Sequence, residues 1–428
     1  MSDTPQQIRS RRMPGVHGGR TYRRPEARRP RTASLESIAA WMRGPALQIG
    51  SPIKLIDALC WRLVAAGLPV DRCVFTVAVL HPQFSGYSIR WWRETQEAGE
   101  FLVEHGVYRN EAFLKSPFPP VVERGEVVRV RIDPKATRFP YPVLADLAAQ
   151  GYSDYVALPL RLSTIAAAGR VWRFQVCVFA TRRPEGFAES DIAALGAIVD
   201  GFAAPLAVAT ERRKARDLLS VYLGRGVAPK VLAGEIARGS GEALHAAILA
   251  TDMRGFTRLT DRLPAERIVA LLDAWFEGQV RAVHEAGGEV LKFMGDGMLA
   301  IFPVGDIELA RPAAGRALDA AREALAWTRA LDRDPAFADA QPLAAVAALH
   351  VGEVFLGNIG ASDRLDFTAI GPAVNLVARL ETLAKTLDRD LVLSAPFAEL
   401  AGAAVEPLGR HMLKGVADPI EAFACAPG

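Results

Sequence analysis

The chain has 428 residues, half of them hydrophobic and 23% charged, with a formal net charge of +3. Such a balance excludes a disordered or fibrous chain, and the length accommodates about two or three domains with cores of their own. No apolar run reaches the roughly 18 residues a bilayer span needs, because Asp200 and Pro205 interrupt even residues 191–210, and no secretory leader is legible, so a cytoplasmic protein is expected.

Residues 1–32 carry nine arginines against Asp3 and Glu26, +7 in all, which leaves about −4 for the remainder. With its Pro and Gly, the segment 1–33 is predicted to be a disordered Arg-rich tail. Contact with nucleic acid or an anionic membrane is open to such a tail, but a solubilising leader is the preferred reading because no periodicity is present. Cys60, Cys73, Cys177 and Cys425 lack metal-ligand spacing and are expected to be reduced thiols engaged in packing.

Ser34 opens a helical pattern, and Leu55, Ile56, Leu59, Leu63 and Val64 extend an apolar face towards Gly67-Leu68-Pro69. Strands are expected at 73–80, 87–92, 155–160 and 171–180, then a turn at 183–186 and a helix from Ile192 to about Arg216. Residues 34–210 thus read as one α+β domain. FQVCVFATRRPEGFAESDIAALGAIVDGFAAPLAV resembles the end of a GAF-type sensory domain. That resemblance implies either a small-molecule ligand of unknown identity or a dimerisation platform. His81, Trp91 and Trp92 are candidate pocket residues, with packing the more common role for such side chains. Residues 211–242 form a helical linker with a short coiled-coil character, and 222–234 resemble the segment preceding many bacterial cyclase domains.

From residue 243 onward the signals sharpen. The apolar run Ala246–Ala250 delivers Asp252, with Gly255 close behind. Ile268, Leu271, Leu272, Trp275, Phe276, Val280 and Val283 mark one helical face, which Gly287-Gly288 ends. Two short apolar runs, 290–293 and 298–302, flank Gly295-Asp296-Gly297, a hairpin signal with Asp296 at its tip. Two aspartates 44 positions apart, each beside a glycine, suit hard oxygen ligation of Mg²⁺ for phosphoryl transfer. The alternative is that Asp252 caps a helix and Asp296 forms a turn. A helix over 309–331, a pair of strands at 343–352 and 354–359, and a helix over 373–387 follow. On that last helix Leu376, Val377, Leu380, Leu383, Ala384 and Leu387 form the apolar face, and Asn375 and Arg379 lie one turn apart on the other. Strands at 391–394, 411–413 and 420–425 complete a ferredoxin-like βαββαβ fold.

TDMRGFT, LKFMGDGMLAIF and DFTAIGPAVNLVARLE resemble three signature segments of class III nucleotidyl cyclase catalytic domains, in order, over residues 243–428. The resemblance implies an adenylate cyclase that converts ATP to 3′,5′-cyclic AMP and pyrophosphate. It also implies two Mg²⁺ or Mn²⁺ ions on Asp252 and Asp296 with the Met253 carbonyl, and phosphate contacts from the N–H groups of Gly255, Phe256 and Thr257. Asn375 then orients the ribose, Arg379 stabilises the transition state and Lys414 contacts the triphosphate. Lys292 and Thr368 match the purine-reading pair. An ammonium only donates, which suits adenine N1 and opposes the N1–H of guanine. Thr368 stands where many family members have Asp, and its hydroxyl can donate as well as accept, so looser ATP selectivity is expected; Pro372, where Asp is frequent, reads as a local turn change without a catalytic role. The family's shared sites imply a homodimer. A catalytically silent module that keeps the fold and a guanylate cyclase are the competing readings; no GGDEF or GGEEF segment supports a diguanylate cyclase.

Overall fold

In the computed structural model, which describes residues 16–79, 81, 83–162, 165–167, 170–172, 174–304, 310–402 and 404–425, the chain divides into two units, Met1–Leu218 and Leu219–Gly428. Strands of the first are β1 (Val16–Tyr22), β2 (Arg72–Ala78), β3 (Phe84–Trp92), β4 (Glu97–Glu104), β5 (Val128–Arg131), β6 (Asp154–Leu160), β7 (Ile165–Ala167), β8 (Arg170–Trp172) and β9 (Gln175–Thr181). Its helices are α1 (Leu35–Arg43), α2 (Pro52–Ala65), α3 (Glu111–Leu114), α4 (Phe118–Arg124), α5 (Pro142–Ala149) and α6 (Glu189–Leu223), whose last turn belongs to the second unit.

An antiparallel sheet in the order β1-β4-β3-β2-β9-β6-β5 separates two cores. Alternation along β2 decides which residue serves which: Cys73, Phe75 and Val77 join α1, α2 and α6, whereas Val74 joins α3, α4 and α5. Ser34 caps α1 through a reciprocal bond with Ser37. α6 is long and apolar enough to cross a membrane, a property that Asp200 and Pro205 hid in the sequence. Its Leu195, Ile198, Val199, Phe202 and Leu206 lie in the core of the first unit. The stretch expected as one strand over 171–180 is two elements, β8 and β9.

The tail expectation is corrected within the described residues, and its first 15 residues lie outside them. Residues 16–22 form β1 against β4. Arg23 pairs with Glu97, Arg24 with Asp57, and Arg29 stacks over Trp61 at 4.3 Å. The reason is electrostatic. Asp57 is fully buried, also accepts from Trp91 Nε1, and has its charge answered by Arg24.

The second unit holds β10 (Gly241–Met253), β11 (Glu289–Met294), β12 (Gly297–Val304), β13 (Ala345–Gly360), β14 (Leu365–Ile370), β15 (Leu391–Ser394), β16 (Val405–His411) and β17 (Ile420–Cys425). Its helices are α7 (Val227–Leu232), α8 (Phe256–Arg262), α9 (Ala265–Glu285), α10 (Ala310–Leu331), α11 (Pro372–Thr386) and α12 (Ala395–Ala401). The spatial order β11-β12-β10-β13, antiparallel throughout, is that of a split βαββαβ unit. α9, α10 and α12 cover one face and α11 the other. Pro312 sits in the first turn of α10, where its missing N–H costs nothing; Leu309 lies outside the described residues. The strand pair expected at 343–359 is instead the single strand β13. Gly352 runs through it extended because a Cβ there would press on Ala373 of α11 at 2.8 Å.

Replacing Arg24 with Ala leaves the Asp57 carboxylate buried without its cation, a loss of about 3–5 kcal/mol. Burial already raises the Asp57 pKa, with Arg24 opposing the rise. A raised folded-state pKa means the folded chain holds its proton more tightly, so the deficit should shrink as pH falls through that pKa. Urea unfolding of both proteins at pH 7.5 and 5 measures it; an equal deficit at both pH values would contradict the assignment.

Candidate active site

Ala246, Ala247, Ile248, Leu249 and Ala250 are buried on both faces of the sheet, which makes β10 a central strand. Asp252, near the end of this strand, is only partly buried, and its register partner on β12 is Gly297. Asp296 sits just before Gly297 in the β11–β12 turn, and its carbonyl accepts from Met253 N–H at 3.3 Å. The two carboxylates thus share one end of the sheet. Gly297 is required there: a Cβ would lie 3.0 Å from Asp252 Oδ1 and 3.1 Å from the Thr251 carbonyl. Gly255 (φ +70°) turns the chain in the left-handed region so that α8 starts at Phe256.

Electrostatics confirm the proximity. The Asp296 carboxyl is pushed above its ordinary range, first by burial and then by the Asp252 charge. Lys385 of α11 contacts Asp252 Oδ2 and lies 3.0 Å from Glu381. Burial alone would lower the Lys385 pKa, but its bonds to Asp252 and Glu381 prevail and raise it. Burial raises Glu381, against the pull of Lys385. Arg254 fastens this corner: its N–H reaches the Ala344 carbonyl at 2.8 Å, and its guanidinium pairs with Asp388 at 2.9 Å and the Arg389 carbonyl at 3.0 Å.

Lys385, Glu381 and Arg254 were absent from the sequence expectation. An i, i+4 Glu-Lys pair was the available signal for the first two, though it reads equally as an exposed helix pair.

The other expected residues are distributed as follows. Lys292 is on β11 and Thr368 on β14, strands that approach each other. Thr368 is buried, and among the described residues its Oγ1 has no hydrogen-bond partner. Asn375 and Arg379 are exposed on α11, and Lys414 is exposed after β16. Glu381 is two residues from Arg379, about 200° around the helix, so α11 turns Glu381 and Lys385 towards Asp252 and carries Asn375 and Arg379 on a different face. Among the described residues, no hydrogen bond or ion pair joins Asn375, Arg379 or Lys414 to the aspartates. His81 stacks on Phe84, while Trp91 is core and donates to Asp57.

Among the described residues no cluster of three or more His, Cys, Asp and Glu stands ready to hold a metal. Asp252 and Asp296 nevertheless fit a hard divalent cation. Both are oxygen donors, their mutual repulsion calls for a counter-charge, and backbone carbonyls and a ligand's own oxygens can complete the shell.

The second unit is a split βαββαβ sheet with paired carboxylates at a strand end and an adjacent hairpin tip. Residues 241–415, which lie within it, match the family model for the adenylate and guanylate cyclase catalytic domain. Two uncharacterised proteins of Mycobacterium tuberculosis (strain H37Rv) are each 37% identical, one over 203 residues (47% of this chain, 36% of the relative) and one over 230 (53% and 40%). The chain therefore spans 36–40% of the length of these curated relatives. Among solved structures, the guanylyl cyclase Cya2 is 28% identical with a TM-score of 0.37, covering 44% of this chain and 93% of that one. The adenylyl cyclase CyaB from P. aeruginosa is 24% identical with a TM-score of 0.39, covering 44% and 97%.

Replacing Lys385 with Met should leave Asp252, Glu381 and Asp296 without the ammonium among them and cost about 1 kcal/mol at neutral pH. Asp296 and Glu381 both have raised pKa values in the fold, so each gains stability as pH falls, and the deficit should close on acidification. Thermal melts at pH 7.5 and 5 test this; a variant as stable as the parent at pH 7.5 would show that the ammonium neutralises nothing there.

Proposed function

We propose that the second unit is an adenylate cyclase, converting ATP to 3′,5′-cyclic AMP and pyrophosphate in a homodimer with composite sites, under the control of a GAF-like first unit. The observation that carries the reading is the division of α11. Glu381 and Lys385 face the aspartates of their own chain, whereas Asn375 and Arg379 are turned away, free to complete a site in a second copy. Large apolar side chains on β11 and β14 support an interface there: Phe293 is 51% exposed and Ile370 48%.

In this reading the ribose 3′-oxygen attacks the α-phosphorus and the bond to the bridging oxygen of the β-phosphate breaks, releasing pyrophosphate. Asp252, Asp296 and the Met253 carbonyl would hold Mg²⁺ or Mn²⁺, which supplies Lewis-acid neutralisation of phosphate charge when bound. The N–H groups of Gly255, Phe256 and Thr257, at the turn and the first residues of α8, point where helix N–H groups lack intrahelical partners and suit phosphate oxygens. Arg379 offers a fixed cation to the charge that develops during attack, Asn375 a hydrogen bond to the ribose, and Lys414 a charge for the triphosphate. Lys292 donates to adenine N1. The unpartnered Thr368 Oγ1 is a buried acceptor waiting for an exocyclic amine.

The test is the full chain with Mn²⁺ and either ATP or GTP, with the product identified by chromatography. Cyclic AMP should dominate. Asp296→Asn and Arg379→Ala should each lose at least about a hundredfold. Mixed and allowed to exchange subunits, they should regain about a quarter of the parent rate, because half the dimers then hold one intact site. Preferred turnover of GTP would favour a guanylate cyclase, no cyclic product a silent module, and no recovery despite exchange would reject the shared site.

A further inference from the structure

In the first unit, a cavity of about 110 Å³ lies between the sheet face made by β2, β3 and β9 and the cover formed by α3 and α4. Its wall is largely apolar, with Tyr108, Phe113, Phe118, Val122, Phe174 and Val176 prominent. Arg90 of β3 lines it. Val74, the register partner of Arg90, belongs to the core on this face, so the arginine points the same way. Its guanidinium lies over the Phe101 ring at 4.3 Å.

Arg24, Arg129, Arg182, Arg183 and Arg213 all meet a carboxylate. Among the described residues, none pairs with Arg90. Arg72, diagonally opposite on the same face, adds a second positive charge, and its buried Nε has no hydrogen-bond partner. Burial, and behind it repulsion from Arg72, brings the Arg90 pKa down to about 10. A desolvated cation without a counter-ion is costly. Among the other polar groups at the wall, Thr76 bonds with the Val176 backbone, Gln175 Oε1 with Ala78 N–H, and Asn110 Oδ1 with Phe113 N–H. One guanidinium fork in a largely apolar chamber matches a carboxylate. At about 110 Å³ the cavity is smaller than the about 150 Å³ that accepts benzene, so a short aliphatic acid fits best and the aromatic acids probe the upper limit of size.

We propose that this cavity is the binding site of a small apolar monocarboxylate, held by Arg90 at its charged end and by Phe113, Phe118 and Phe174 along its hydrocarbon body. The site is independent of the cyclase reading and is tested without it. The full chain is titrated calorimetrically, and its melting followed, with isobutyrate, benzoate and phenylacetate, each beside its uncharged amide, and with inorganic phosphate. At least one acid should bind saturably, about tenfold or more tightly than its amide. Arg90→Met should abolish that binding, and Arg90→Lys should weaken it while keeping the preference for the acid. The proposal is overturned if no acid binds, if acid and amide bind alike, if phosphate alone binds, or if Arg90→Met binds as the parent does. Should Arg90→Met fold poorly, the acid-to-amide ratio of the parent and the Arg90→Lys titration decide the matter alone.

Discussion

Repulsion between two carboxylates is what the second unit is built to hold. Asp252 is placed by β10, whose apolar run leaves it no freedom to slide: a shift by one residue would exchange the sets buried under α9 and α10 for those buried under α11. Asp296 is placed by the register of β12, which sets Gly297 opposite Asp252. Neither side chain can relax away, because Gly297 leaves room for the first and the Met253 N–H bond fixes the backbone of the second. Burial and, behind it, the Asp252 charge raise the Asp296 pKa, and Lys385 of α11 offsets part of that rise.

The parts of this arrangement that were legible in sequence are those set by local periodicity. The continuous apolar run of β10, the helical face of α9 and the Gly-Asp-Gly turn each declare their element because burial on both faces, burial on one face and a tight reversal need different residue spacings. Gly352 misled for an equally physical reason. Glycine in an apolar strand pattern marks either a turn or a close approach, and only the packing of α11 against β13 shows that it is the latter. Lys385, Glu381 and Arg254 escaped because their roles depend on which face of α11 meets the end of β10, a tertiary fact that no window of sequence contains. In the first unit, β1 (VHGGRTY) has neither alternation nor apolar content and exists as a strand only because β4 offers it an edge.

The same logic explains why the arginine-rich segment is folded where it is described. A formal charge of +7 over 32 residues suggests a chain that repels itself. What that count misses is the negative charge the first unit keeps out of water. Asp57 and Asp154 are both fully buried, the one answered by Arg24, the other by Arg129 and by the backbone N–H of Phe187 at 3.0 Å. Once a buried carboxylate is present, an arginine becomes a structural necessity and its segment acquires a fixed path. Arg90 stands outside this pattern, since among the described residues no carboxylate pairs with it.

β3 ties the two faces of the first unit together. Ser88 and Arg90 face α3 and α4, while Tyr87 and Ile89 lie in the core that α6 closes. The Tyr87 ring sits 4.8 Å beneath the Arg213 guanidinium of α6, and Arg213 also pairs with the buried Glu100 of β4, at 2.9 Å from its Nη2. Close-packed interiors do not absorb displacement by compression. Arg90 therefore sits on a strand whose opposite side meets α6 through a ring contact, while the same arginine of α6 ties the neighbouring β4 by an ion pair.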